Sequence, residues 1–203
     1  MSFVSDGGAT AEFEFHPLTP DRWPDVVRLF DTHSNPRSCW CQYWRLAQPT
    51  WRSNSPEQRR GLLEGAVEAS APVGVLAYRD GEPVGWCSIA PRETHERVRR
   101  TRSMRAAEPT TNTWSVVCFF VHRSARHRFL MTELLNAAVE YARANGAEAV
   151  DGYPVVRRLR EDGSPIGAPY RFMGSMGTYR RAGFDDVTTN PGQTRHLMRR
   201  DLR

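Results

Sequence analysis

The 203-residue sequence contains no lysine: all 28 of its basic residues are arginine. That absence excludes a Schiff-base lysine, a pyridoxal phosphate anchor and the lysine of a phosphate-binding P-loop. No apolar run reaches the roughly 18 residues a membrane helix needs, so no membrane partner is expected. The opening stretch MSFVSDGGATAEF lacks the basic start and apolar core of a signal peptide, which makes a cytoplasmic address the expectation. Cysteine is scarce, with Cys39, Cys41, Cys87 and Cys118 forming one C-x-C and two isolated positions. Paired C-x-x-C sets are missing, so neither a structural zinc site nor any other metal is expected. A disulfide framework does not suit a cytosolic chain. Cys87 and Cys118 read as small core residues of strands, and Cys41 as a core thiol in preference to a nucleophile, because no histidine is fixed beside it.

Hydrophobic residues make up 39% and charged residues 25%, which suits a packed core. The formal net charge of +5 is modest for this length. Arg97, Arg99, Arg100, Arg102 and Arg105, and then Arg157, Arg158 and Arg160, form two basic stretches. They read first as solvated faces and second as contacts for an acidic ligand. No recognition helix or basic–aromatic interleaving points to nucleic acid.

Residues 1–11 read as a flexible N-terminus and 12–203 as one domain. Glu12 to Leu18 alternates like a half-buried strand. A helix is predicted from about Asp21 to His33, capped by Thr19, then an aromatic loop over 34–44 where Pro36 breaks the helix. Ser55-Pro56-Glu57 opens a helix to about Ala69. Val73–Tyr78 and Pro83–Ala90 form a hairpin around Asp80-Gly81. After a polar stretch comes Trp114–Val121, a continuous apolar run suited to a strand covered on both faces. A helix from about His127 to Asn145 ends at Gly146. A strand over Ala147–Val155, a short helix over Gly174–Ala182 and strands at Val187 and Thr194–Arg200 complete the chain. The order predicts an α/β fold with helices on both faces of a mixed sheet of about seven strands.

Three segments carry a resemblance to the GNAT (GCN5-related N-acetyltransferase) superfamily. GEPVGWCSIAP (Gly81–Pro91) looks like its second-to-third strand hairpin, Trp114 through Ala144 like its cofactor strand and following helix, and GTYRRAGF (Gly177–Phe184) like its late helix. The resemblance implies a single-domain acyl-CoA N-acyltransferase fold and transfer of an acetyl or short acyl group from acetyl-CoA to a small-molecule amine within a ternary complex. It also implies that backbone groups of Phe119, Phe120 and Val121 receive the pantetheine arm. The pyrophosphate would lie on Arg126, His127, Arg128, Phe129, Leu130, Met131 and Thr132. Unpaired N–H groups at a helix start suit such an anion. In the family this turn reads Arg/Gln-x-x-Gly-x-Gly/Ala; here Arg126 matches, while Phe129 and Met131 replace the small residues. The alternative is a protein on the same scaffold that has lost coenzyme A and runs another reaction or senses a metabolite. Homodimers are common in the superfamily, so a homodimer is open here.

For catalysis, the resemblance places Tyr179 beside the thioester sulfur, where a phenol of pKa about 10 can protonate a thiolate of pKa about 8.5. No acid stands on the cofactor strand to act as base. His33, His95, His122, Asp151 or a water chain are the candidates, and an amine of low pKa needs none. The acceptor wall is read as Trp40, Cys41, Tyr43, Trp44, Trp86, Ser88, Trp114 and Tyr153. Its aromatics would bind a ring or a cation, or else seal a core beneath the loop.

Overall fold

The computed structural model describes residues 12–105, 111–126, 129–156, 171–190 and 192–203. Its centre is a seven-stranded sheet in the order β1-β2-β3-β4-β5-β7-β6. The strands are β1 (Glu14–Pro17), β2 (Gly74–Arg79), β3 (Glu82–Pro91), β4 (Thr113–Val121), β5 (Ala149–Gly152), β6 (Asp185–Asp186) and β7 (Met198–Asp201). Only β4 and β5 run parallel; every other neighbouring pair is antiparallel. The β2–β3 hairpin turns at Asp80 and Gly81, both with positive φ (53° and 77°), the geometry of a two-residue turn.

One face of the sheet carries α6 (Leu130–Ala144) and α7 (Met176–Arg181). Leu134, Leu135, Ala138 and Val139 of α6 pack there on Val75, Cys87, Val116 and Phe119. The other face carries α1 (Trp23–Asp31), α2 (Ser34–Cys39), α3 (Gln48–Ser53) and α4 (Pro56–Glu68). There Val26, Leu29 and Phe30 meet Leu76, Trp86 and Phe120. The alternation of 75/77 and 76/78 between the two cores is the period-2 rule at work. Both faces of β4 are covered, as its unbroken apolar run predicts.

Several details depart from the sequence reading. Pro36 does not keep 34–44 a loop. It is the third residue of α2, where the backbone N–H has no acceptor to lose. The helix expected from Asp21 begins in a 3-10 turn at Pro20–Arg22 and turns α-helical at Trp23. The polar stretch before β4 contains α5 (Glu96–Arg100) and buries Val98 and Met104 in a third small core with Val117, Tyr153 and Leu197. α4 starts as read, on a capping box in which Ser55 and Gln58 satisfy each other's backbone N–H. The expected strand over 147–155 is paired only along β5, with one further bridge at Val155 to Arg195. The flexible terminus proposed for 1–11 and the second basic stretch at Arg157, Arg158 and Arg160 lie outside the described residues.

Candidate functional site

β4 and β5 pair over Thr113–Val116 and Ala149–Gly152 and then part, leaving a wedge. Which groups of β4 face that wedge follows from the neighbouring ladder. The His122 N–H donates to the Val84 carbonyl on β3 at 2.8 Å. By strand alternation Phe120 also points its backbone to β3, and Phe119 and Val121 present theirs to the open side. Of the three backbone contributors read from the sequence, Phe120 therefore faces the wrong edge. The Val121 carbonyl accepts from the Arg126 Nε at 3.2 Å, so Arg126 folds back on the strand end.

The β3–β4 register slips between Ser88 and Ile89, which pair with Cys118 and Val116, leaving Val117 as an inserted residue. A bulge turns the side chain that alternation would hide. Val117 and Cys118 accordingly both line the same cavity.

Tyr179 lies at the apex of the wedge, on the α6 face. A Cβ built on Gly152, the last paired residue of β5, would fall 2.0 Å from its Cε1 and 2.7 Å from its Oη. Only glycine there lets the ring lie flat on the strand end. Phe119 and Phe184 hold the ring edge-on, with centroids 6.4 and 5.1 Å away. The residue is fully buried, and its hydroxyl has no hydrogen-bond partner among the described residues. Burial pushes the phenol well above its usual range, against an opposing pull from the Tyr153 backbone N–H, which approaches the hydroxyl without closing a hydrogen bond of acceptable geometry. Tyr179 thus stays protonated across the working pH range.

At the start of α6 the two departures from the family turn find separate places. Phe129 is 69% exposed, with the Arg181 guanidinium 5.5 Å from its ring centre. Its side chain leaves the turn and enters solvent. Met131 packs toward the core, its sulfur accepting weakly from the Thr178 hydroxyl at 3.8 Å. Leu130 is buried, and the Thr132 hydroxyl accepts from the Arg181 Nε at 3.4 Å. His127 and Arg128 lie outside the described residues.

The opposite face of the sheet holds a cavity of about 320 Å³. Tyr43, Trp44 and Trp51 wall it, with Phe120, Cys118 and Val117 of β4 beneath and Phe172 and Met173 at its edge. Cys41, Tyr43 and Trp44 are the members of the sequence-read wall that reach it. The other five do not. Trp40 packs between Trp23 and Phe30, and Trp86 lies edge-on to Phe30 in the core. The Ser88 hydroxyl, fully buried, donates to the Val73 carbonyl. Trp114 faces Tyr141 on the α6 side. The Tyr153 hydroxyl is tied to Ser115 at 2.8 Å. Trp51 and Phe120 were missing from that reading. α3 is six residues long, too short for periodicity to show which way Trp51 points.

The chain enters the cavity wall through Trp40 and Cys41, both left-handed (φ 47° and 53°), a costly conformation for residues with side chains. The strained pair is fixed by Trp40 packing and by the Trp86 Nε1, which donates to the Cys41 sulfur at 3.1 Å. Cys41 is the one thiol held below its usual range: a hydrogen bond from Cys118 leads, and the Trp86 N–H and the Arg45 charge help outweigh burial. Cys39, by contrast, is pushed up to about 12 by burial.

None of the four candidate bases stands in the cavity wall. Asp151 is buried and bound bidentately by Arg199, at 2.8 and 3.0 Å. His122 lies in a shallow groove with Arg79 and Ser124, and the His33 ring contacts Phe120 and His122 at the sheet surface. His95 is completely buried, its Nε2 without a partner among the described residues. Burial first, then the Arg45 charge, holds His95 well below the usual histidine range. The unfolded chain therefore binds a proton near pH 6.5 that the folded protein refuses, so stability falls as pH drops below that point. The expected slope from this residue is at most about 1.4 kcal/mol per pH unit. Urea melts from pH 7 to 5 should show it, and His95→Phe should flatten it.

Wedge, bulge, helix start and late tyrosine together define an acyl-CoA N-acyltransferase fold. The model of the acetyltransferase (GNAT) family matches residues 40–167, and the chain belongs to that family. Acyl transfer from coenzyme A is the family's general chemistry. Among solved structures, the chain is similar to the aminoglycoside acetyltransferase AAC(6')-Ib in complex with coenzyme A. The TM-score is 0.55 at 14% identity, over 93% of this chain and 94% of that one. The PaiA N-acetyltransferase of Thermoplasma acidophilum, in complex with coenzyme A, gives 0.52 at 13% identity, over 95% and 100%. YncA of Salmonella typhimurium, in complex with acetyl-CoA, gives 0.51 at 12% identity, over 95% of each chain. At such identities the likeness concerns the fold. No curated protein matches in sequence. Among the described residues no helix is long and apolar enough to cross a membrane, and no group of three or more His, Cys, Asp and Glu residues is arranged to hold a metal.

Proposed function

We propose that the protein transfers an acetyl or short acyl group from acyl-CoA to the amine of a small molecule held in the aromatic cavity. The observation that carries this reading is the Tyr179 hydroxyl, buried at the apex of the wedge with no partner among the described residues. An orphaned buried hydroxyl costs about 1–3 kcal/mol, and such groups persist where a ligand completes them. Phe129, the bulkiest departure from the family turn, leaves space at the start of α6 by turning outward.

In this reading Arg126 and the start of α6 (Phe129, Leu130 and Met131) hold the pyrophosphate, the Thr132 N–H being already given to the Phe129 carbonyl at 2.8 Å. The backbone of β4 at Phe119 and the Val121 N–H receive the pantetheine arm. The acyl-CoA supplies an activated thioester. The acceptor nitrogen bonds to the acyl carbon, and the carbon–sulfur bond breaks. Tyr179 gives its proton to the departing thiolate and regains one from water, while the nitrogen releases its proton to water.

Calorimetry with acetyl-CoA tests the reading. Micromolar binding is expected, weakened roughly 10-fold in Arg126→Ala by loss of one charge-assisted phosphate contact. Absence of both heat and thermal stabilisation at millimolar ligand would overturn it.

A further inference from the structure

The aromatic cavity can be asked what it would accept. Indole and phenol rings bind either a flat apolar ring or a cation, and the residue types alone leave both open. Here each of the three rings already carries a guanidinium on one face. The Arg59 guanidinium lies 3.7 Å from the ring centre of Trp51, Arg97 lies 4.0 Å from Tyr43, and Arg195 lies 5.2 Å from Trp44. The three rings form an edge-to-face set around Tyr43, with centroids 5.0 Å to Trp44 and 5.4 Å to Trp51. Neither Arg59 nor Arg97 meets a carboxylate at salt-bridge distance among the described residues. Each is held by backbone carbonyls, Arg59 by Ser38 and Trp51, Arg97 by Leu46. Arg45 lies close enough to act on Cys41 and His95. The described lining residues include no acid and no charged side chain of either sign.

Among the described residues the wall is therefore largely apolar, with Asn35 and Ser38 as its polar side chains, backed by positive charge and without a carboxylate to pair an ammonium. A protonated alkylamine entering it would lose its hydration and feel the positive charge of three guanidiniums behind the rings. A neutral aromatic ring meets edges and faces of matching shape. No described lining residue is a carboxylate or histidine, and a nitrogen that is unprotonated at neutral pH needs none.

Resting on the acyl-transfer reading above, we infer that the acceptor is an aromatic amine of the aniline type, neutral at nitrogen and tolerant of an anionic substituent. The ring lies among Tyr43, Trp44 and Trp51. Its nitrogen points to Val117 and Cys118, the bulge residues beside the wedge.

The test compares aniline and 4-aminobenzoate with benzylamine, which has the same ring but is a cation at pH 7. Binding is read first without acetyl-CoA, by quenching of tryptophan fluorescence, and turnover is then read by mass spectrometry of the acetylated products. Aniline and 4-aminobenzoate are expected to bind and to be acetylated with kcat/KM at least 10-fold above benzylamine at pH 7. The gap should narrow toward pH 9 as benzylamine loses its proton. Trp51→Ala should weaken aniline binding about 10-fold, and Ser38→Asp, which sets a carboxylate in the wall, should move preference toward benzylamine. Equal or better binding of benzylamine at pH 7 overturns the inference. So does acetyl-CoA binding with no quenching by either aromatic amine, which leaves the acyl-transfer reading intact. Aniline-selective quenching by a protein that does not bind acetyl-CoA supports the acceptor class and overturns the transfer reading instead.

Discussion

Tyr179→Phe is expected to lose 10²–10⁴ in kcat, the range of one positioned proton donor, with little change in KM for acetyl-CoA. The same substitution should raise stability. The hydroxyl it removes is buried and unpartnered among the described residues, and its ring contacts with Phe119 and Phe184 survive in phenylalanine. A gain of about 1 kcal/mol, or roughly 2–4 °C in Tm at this chain length, is the expected size. Loss of rate with gain of stability separates a functional tyrosine from a packing one, which would lose stability and keep its rate. The pH dependence gives a second check. Because burial raises the folded-state pKa, the wild type keeps the phenol's proton where the unfolded chain releases it, near pH 10. Above that point wild-type stability falls by up to about 1.4 kcal/mol per pH unit through this residue, and Tyr179→Phe does not share the loss. Below pH 10 no alkaline decline in kcat should come from Tyr179.

How far the sequence speaks for itself can be judged residue by residue. The unbroken run Trp114–Val121 predicts a strand buried on both faces, and β4 is one. The same uniformity hides its bulge. An extra valine within Val116–Val121, apolar throughout, leaves no break in pattern, so nothing in the sequence says that Val117 and Cys118 share a face. Ser55-Pro56 and Gly146 mark helix ends by local chemistry and are read correctly, the capping box and the positive φ of 80° being their cause. The cavity wall is harder because it is assembled from long-range contacts. Trp86 is as aromatic as Trp44, but its place in β3 turns it toward Phe30 and the core. Phe172 and Met173 join Trp44 from well over a hundred residues away. The basic stretch before β4 shows the same limit. Arg99 and Arg100 are exposed, as a solvated face should be, whereas Arg97 from that run lies over Tyr43. Whether Phe129 would block the helix start depends on its side-chain direction, which only the packing of α6 against α7 decides.

Gly152→Ala should have a large effect on stability and, through Tyr179, on rate. The added Cβ would sit 2.0 Å from the Tyr179 Cε1, far inside contact distance. The ring cannot slide away freely, since Phe119 and Phe184 flank it and Gly174 packs on its far edge. A Cβ on Gly174 would already stand 3.2 Å from both Phe119 and Tyr179, and its φ of +78° leaves that loop little freedom. Overpacking of a closed core costs about 1–3 kcal/mol and occasionally more, and a rigid ring against a strand belongs at the upper end. The phenol must move off the wedge to accommodate the methyl group, so kcat should fall about as far as in Tyr179→Phe. A double-mutant cycle makes the cause explicit. Tyr179→Ala alone should cost about 3–5 kcal/mol by opening a cavity. Adding Gly152→Ala to it should cost almost nothing further, because the clashing ring is gone and the methyl enters the space left behind. A coupling of about 2–3 kcal/mol, read from denaturant melts, is the expected result. Simple additivity would mean that the ring does not rest on the end of β5, and would take with it the geometry on which Tyr179 was assigned to the wedge.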